Sequence, residues 1–254
     1  MAFRHPLALA GAVTAGVVAV AGLSASSPVA VPASVPTVTW SDAAPVIGST
    51  ATTSTTSLYK FSSYVGGKPV RWNPCAAIHW RFRTSGAPSG ALTVVKSAVS
   101  AVSSATGIRW IYDGPTTSTP TSAWLPKSSV GIRPVLIGWT DGSHSDLLRG
   151  QPSAVLGMTR TAYFGITLNG VQVAATKAAV IALDRTNHLP LTGGLSWKTT
   201  LLHELAHAAG LAHVGNSHQL MYPVLQRTLY GLQSGDKAGL AKLGRSAGCI
   251  NLGF

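Results

Sequence analysis

Residues 203–213 read HELAHAAGLAH. His203 and His207 stand four apart, so on a helix they project from one side, about 40° apart around the axis, and both imidazoles can reach one metal ion. Glu204 lies about 100° round from His203, beside such an ion without having to bind it. Gly210 follows, and glycine can take the left-handed conformation that ends a helix. That turn can bring His213 back as a third nitrogen ligand. Three protein ligands with a fourth position open is the arrangement of a catalytic rather than a structural zinc. Leu201, Leu205, Ala208 and Ala209 fall on the opposite side, so the spacing predicts a helix from about Ser196 to Ala209, packed by its apolar side with the histidines facing a cleft. A lone His-Glu-x-x-His is weak evidence. The five fixed positions together are expected about three times per million chains of this composition.

Composition sharpens the motif. The chain has 254 residues, 19 Lys+Arg against 7 Asp+Glu and a formal net charge of +12, and Glu204 is its only glutamate. Only 10% of the residues are charged, where a soluble domain usually has about 25%. The chain is too apolar for a disordered protein and too sparsely charged for a coiled coil. Its carboxylates are too few for a rich calcium site, and its two cysteines too few for a four-thiolate zinc module.

The N-terminus has its own character. A basic start (MAFRHP, 1–6) precedes an uncharged Ala-, Val- and Gly-rich run at 7–23, then small residues at Ser24, Ala25, Ser26, Ala30 and Ala33. This is the pattern of a secretory signal over residues 1–26, with cleavage between 25 and 33. The run is short for a bilayer span of about 20 residues, and no basic stop-transfer flank follows it. Residues 27–57, rich in Pro, Ser and Thr, read as a flexible spacer or short pro-segment. The catalytic domain is expected over 58–254, extracellular, monomeric and free of the membrane after signal cleavage. In an oxidising compartment Cys75 and Cys249 are expected to pair. The alternative, a Cys75 thiolate directed at the metal, leaves Cys249 without a partner.

Between these ends the periodicity predicts strands at 78–82, 108–112 and 133–139, an edge strand at 154–164 and a buried strand at 177–184. A helix is expected from Ala91, ended by Gly107, and a last one near 235–243. Residues 113–129 read as a loop, and Asn169-Gly170 as a hairpin turn. The order implies an α/β domain with helices against a sheet.

The pattern HExxHxxGxxH followed by a methionine turn is the metzincin signature, and this sequence resembles that clan. Met221 stands in QLMYP (219–223). Met221-Tyr222-Pro223 is most similar to the matrixins; in astacins and serralysins a tyrosine falls where Pro223 stands. Asp236 matches the matrixin aspartate that hydrogen-bonds the Met-turn, although the aspartate before it is Gly235 here. KPVRWNPCAAIHWRF (68–82) is similar to the first strand of secreted bacterial matrixin-like proteins. The resemblance implies a metzincin-like mixed twisted sheet of about five strands with an active-site helix and a C-terminal helix. It also implies one catalytic zinc on His203, His207 and His213, Glu204 as general base, and a specificity pocket walled by Pro223, Val224 and Leu225. The sequence departs from matrixins in several places. Val214 replaces the usual serine, and no cysteine-switch motif precedes the domain. His144 and Asp146 have the first spacing of the second, structural zinc site, but no His, Asp or Glu lies between 147 and 183. A second zinc is therefore not supported, nor are calcium sites. His79, His188 and His218 match no motif position and read as structural or solvated, His218 being nearest the cleft.

The function these readings imply is a secreted zinc endopeptidase acting on proteins or peptides bound in extended conformation along the edge strand. Two other classes compete. One is a zinc hydrolase for cell-wall peptide cross-links or another non-protein substrate. The other is a basic protein retained by an anionic cell-surface polymer. The basic residues are scattered and no nucleic-acid motif occurs, so nucleic acid is not an expected partner.

Overall fold

The computed structural model describes residues 57–127 and 131–251, and the backbone of Val38–Trp40. The expected signal (1–26) and most of the expected spacer (27–57) lie outside the described residues. The strands are β1 (Val38–Trp40), β2 (Lys60–Phe61), β3 (Tyr64–Val65), β4 (Lys68–Pro69), β5 (Ile78–Arg83), β6 (Trp110–Thr116), β7 (Val135–Thr140), β8 (Gly157–Leu168), β9 (Val171–Asp184) and β10 (Leu211–Ala212). The helices are α1 (Ala91–Thr106), α2 (Trp197–Ala209) and α3 (Ser234–Leu243).

The main sheet has the order β1-β8-β9-β7-β5-β6. β6, β5, β7 and β9 pair in parallel, and β8 returns antiparallel to β9. This is the expected mixed sheet of five strands, lengthened by the short β1. In β5 the alternation sends Ile78, Trp80 and Phe82 into the core, while His79, Arg81 and Arg83 are more exposed. That face packs on α1 and α2. Every residue of β7, and most of β9, is buried. The other face of the sheet is covered by Leu147, Leu148 and Val155, against Leu136, Met158, Val180 and Ala182. Central strands covered on both faces read as apolar runs for this reason.

The helices begin and end where local chemistry dictates. Gly107 ends α1 at φ 68°. Ser196 caps α2, its Oγ accepting the Thr199 N–H while the Thr199 hydroxyl accepts the Ser196 N–H. The Asn169-Gly170 turn has φ of 48° and 76°, both positive as a tight hairpin demands.

Three boundaries differ from the sequence expectation. The second strand runs from Trp110 to Thr116, into the expected 113–129 loop, and Ser122–Trp124 forms a 3-10 turn. Parallel pairing with β5 holds these residues extended, and Pro115 is tolerated because β6 is the sheet's outer strand. The strand expected at 177–184 begins earlier, at Val171, because hairpin pairing with β8 extends it. The strand expected at the edge, β8, carries β1 on its outer side, with Val38 opposite Ala162 and Trp40 opposite Arg160.

Cys75 and Cys249 are joined, with 5.4 Å between their Cα atoms and a sequence separation of 174. Closing a loop of this length restrains the unfolded chain by up to about 5 kcal/mol on the chain-entropy model. No helix among the described residues is long and apolar enough to cross a membrane.

Candidate metal centre

The Nε2 atoms of His203, His207 and His213 converge. The His203–His213 separation is 2.9 Å, and His207 lies 3.0 Å from each of the other two. Among the described residues these three form the one cluster of metal-binding side chains. His203 Nδ1 lies 2.7 Å from the Leu220 carbonyl oxygen, and His207 Nδ1 lies 2.8 Å from that of Leu211. A carbonyl only accepts, so each Nδ1 carries its proton and donates it. In the neutral ring that leaves the Nε2 lone pair bare. Burial, with His207 and His213 alongside, holds His203 well below the usual imidazole range. Ring nitrogens crowded this closely, with His203 kept from protonating, repel one another wherever two lone pairs face, unless a cation lies among them. The residues therefore fit a divalent metal, and three imidazoles are a donor set suited to zinc.

The backbone that delivers the ligands is built in steps. α2 places His203 and His207 one turn apart. Gly210 ends the helix at φ 118°, its N–H reaching the carbonyls of Ala206 and His207. A Cβ here would lie 3.1 Å from the Val70 carbonyl oxygen, so glycine serves both the turn and the close approach. The N-terminal strand then fixes the exit. Ser62 donates its N–H and hydroxyl to the Gly210 carbonyl, and β10 pairs with β2. Trp72 donates its Nε1–H to the Ala208 carbonyl at 2.8 Å, satisfying one of the orphan oxygens at the helix end.

The turn after the motif is held from α3. Asp236 accepts the backbone N–H groups of Leu220, Met221 and Gln233. Gln219 Oε1 accepts that of Gly235. Met221 is buried, and its carbonyl accepts the Val214 N–H, closing the loop that starts at His213. The aspartate expected to hold the Met-turn does so here.

Glu204 is completely buried. Its Oε2 lies 2.5 Å from the Thr159 hydroxyl, and its Oε1 has no hydrogen-bond partner. Burial pushes this carboxyl up to about 8, against the opposing pull of the Thr159 hydrogen bond. A Cβ on Gly157 would stand 3.2 Å from Glu204 Cγ, so the strand comes close because that residue is glycine.

The helix itself differs from the expected amphipathic one. His203, Glu204 and His207 are as buried as the leucines opposite, and only His213 is half-exposed. The sheet covers one side of α2 and the 211–225 segment the other. Sequence reasoning missed Thr159, Gly157, Trp72 and Gln219. A threonine and a glycine within a strand carry no signal of their own, and only the approach of β8 to α2 gives them a task.

The remaining residues are dispersed. Leu225 is buried in the main core, and Pro223 and Val224 are half-buried. His144 pairs with Asp141 at 2.7 Å. Asp146 accepts the Ser122 N–H and hydroxyl, with Arg160 Nη1 at 3.9 Å. His79 pairs with Asp113, and His188 and His218 are exposed.

A three-histidine cluster with a buried carboxylate between two of its members in sequence, on a helix under a mixed sheet, is the arrangement that the resemblance to metzincins implies. Residues 125–244 match the sequence profile of the matrixin family, a stretch running through β7, β8, β9, α2 and α3. Over that stretch the chain is similar to the matrixins, the family its motif resembles. No curated protein matches the sequence. Among the 68 matching chains of solved structures is metalloproteinase-II from Bacteroides fragilis, 15% identical with a TM-score of 0.37. The alignment covers 69% of this chain and 55% of that one. The chain thus spans about half the length of that solved relative.

Proposed function

We propose that this protein is a secreted zinc-dependent endopeptidase. The observation that carries the reading is the convergence of three imidazole Nε2 atoms on a helix that also carries a buried carboxyl with one oxygen unengaged. His203, His207 and His213 would hold the zinc, which when bound supplies Lewis acidity toward a peptide carbonyl and its attacking water. The chain's own part is proton handling and orientation. Glu204 Oε1 accepts the proton of the attacking water and later releases it to the leaving amine. His203, Glu204 and His207 are buried, and low polarity around them strengthens each electrostatic interaction there.

The substrate is a protein or peptide in extended conformation, lying along β8. The pairing of Val38–Trp40 with Arg160–Ala162 supports this, because the edge accepts an antiparallel strand beside the site. Pro223, Val224 and Leu225 are the proposed wall of the pocket past the scissile bond, for an apolar side chain. The N-terminal pattern supports export, and the net charge of +12 supports retention at an anionic cell surface.

Glu204→Ala is expected to keep the fold and the zinc and to lose casein hydrolysis. Hydrolysis that persists in this variant, or in the presence of phenanthroline, would overturn the reading. Activity on purified peptidoglycan but not on casein would move the substrate to cell-wall cross-links.

A further inference from the structure

The search for further chemistry leads to β8. Its residues alternate in direction, so Gly157 and Thr159 face α2 while Met158 faces the other side of the sheet. Thr159 is completely buried. Its hydroxyl lies 2.5 Å from Glu204 Oε2 and 3.1 Å from the Glu204 carbonyl oxygen. A hydroxyl has one proton to give. When Glu204 is ionised, as a general base must be, Oε2 is the nearer and stronger acceptor and takes it, and 2.5 Å lies within the range of an O–H donor on a carboxylate. Three things then follow for Glu204. The terminal torsion of a glutamate is broad and poorly defined by itself, and this bond selects one orientation. Gly157 lets the Cγ pack directly on the strand. The oxygen left over, Oε1, has no hydrogen-bond partner.

We propose that Thr159 is a positioning residue for Glu204: its hydroxyl holds Oε2 to the sheet, so that Oε1 is the oxygen presented to the reacting water. The proposal rests on Glu204 being the general base. It assigns the strand a part in orienting the helix-borne carboxylate, in addition to presenting an edge for substrate.

The test compares zinc-loaded wild type with Thr159→Val, Thr159→Ala, Thr159→Ser and Glu204→Ala. Valine keeps the shape and loses the hydroxyl, alanine loses both, and serine keeps the hydroxyl. The expected result is a fall of about 10- to 100-fold in kcat for valine and alanine, the scale of a misplaced catalytic group. KM and zinc content stay within about twofold, and serine retains most of the rate. A second readout is independent of activity. Glu204 is the only glutamate of the chain, so carbon-13 labelling of the glutamate carboxyl gives one side-chain resonance from the protein, with or without metal. That resonance is expected to move in the valine and alanine variants and to stay near the wild-type position with serine. Wild-type kcat in a folded valine or alanine variant, a serine variant as slow as valine, or a resonance indifferent to the hydroxyl would each overturn the proposal. A Glu204→Ala protein that still cleaves would instead overturn the general-base reading beneath it, whatever the Thr159 variants do.

Discussion

His203 Nδ1 donates to the carbonyl oxygen of Leu220 at 2.7 Å. Leu220 is itself fixed, since its N–H is held by Asp236 at 2.8 Å. A carboxylate on α3 thus sets the tautomer and tilt of His203, a proposed metal ligand on α2, through one residue of the intervening turn. Asp236→Asn replaces one acceptor oxygen by a donor, which then faces either the Met221 N–H or those of Leu220 and Gln233. The expected loss in zinc affinity is about 10- to 100-fold, the usual scale for a partner of a metal ligand. Competition with a chromophoric chelator measures it. An unchanged affinity would show that the turn needs no anchor.

The histidine cluster predicts a stabilising metal. Lone pairs crowded together at 2.9–3.0 Å repel in the metal-free chain, and an ion bound only by the folded state stabilises it by mass action. Zinc at 100 times its Kd is expected to add about 2.7 kcal/mol. For a domain of this size that is a rise of about 5–10 °C in Tm. Calorimetry with zinc, and with chelator in its place, reads the difference, and native mass spectrometry is expected to count one ion.

Gly157→Ala tests the closeness of β8 to the site. The added Cβ meets Leu183 Cδ2 at 3.0 Å and Glu204 Cγ at 3.2 Å. One or both must give way, at a cost of about 1–3 kcal/mol. The carboxyl moves with its Cγ, so kcat is expected to fall while the zinc content holds. A variant with wild-type kcat would mean that Leu183 alone absorbs the strain.

Much of this was legible in the chain itself. The convergence of His203, His207 and His213, the glycine turn, and the turn at Met221 with its aspartate follow from spacing and resemblance, because the helix repeat makes i and i+4 neighbours wherever a helix forms. The boundaries of α1, α2 and α3 were close to legible, because Gly107, Ser196 and Gly210 mark termini by local chemistry. What the sequence hid was set by distant pairing. Nothing in Thr159 says that it meets Glu204, because that contact exists only once β8 crosses α2. The burial of both sides of α2 was hidden for a similar reason. Polar residues on a helix usually mark a solvated face, and here they mark a site enclosed by the chain that returns through His213. β1 was hidden too, since VTW at 38–40 lies in a stretch whose composition argues against order and gains its pairing from the open edge of β8.

Asp141 gives the fold a dependence on acid. Hydrogen bonds from Ser143 first, then His144 and Arg185, hold its carboxyl well below the usual carboxylate range. A carboxylate with a depressed folded-state value stabilises the protein above the ordinary value of about 4, and that contribution is lost as the pH falls through the folded-state value. Asp141→Asn keeps the shape without the charge. Its stability deficit against wild type is expected to be full at pH 7, still nearly full at pH 5, and to shrink progressively as the pH falls below about 4. Urea unfolding at these values measures it. A deficit independent of pH would assign the role of Asp141 to shape alone.

The last prediction concerns the edge of β8. Trp40 pairs with Arg160, next to the threonine that holds Glu204, and Thr39 and Val38 pair with Thr161 and Ala162. An extended substrate that adds to this edge needs the same backbone groups, since each N–H and C=O of a strand edge serves one neighbour at a time. The upstream strand and a substrate therefore compete. A protein beginning at Ser57 is expected to show a lower KM for an extended peptide than one beginning at residue 27, with similar kcat once saturated, because the competitor is removed and the catalytic groups are untouched. A synthetic peptide covering residues 36–42 is expected to inhibit the shorter protein competitively and the longer one less, the tethered strand having the advantage of its high effective concentration. Equal KM for the two proteins, together with no inhibition by the peptide, would separate β1 from the substrate path and place the peptide along another part of the sheet.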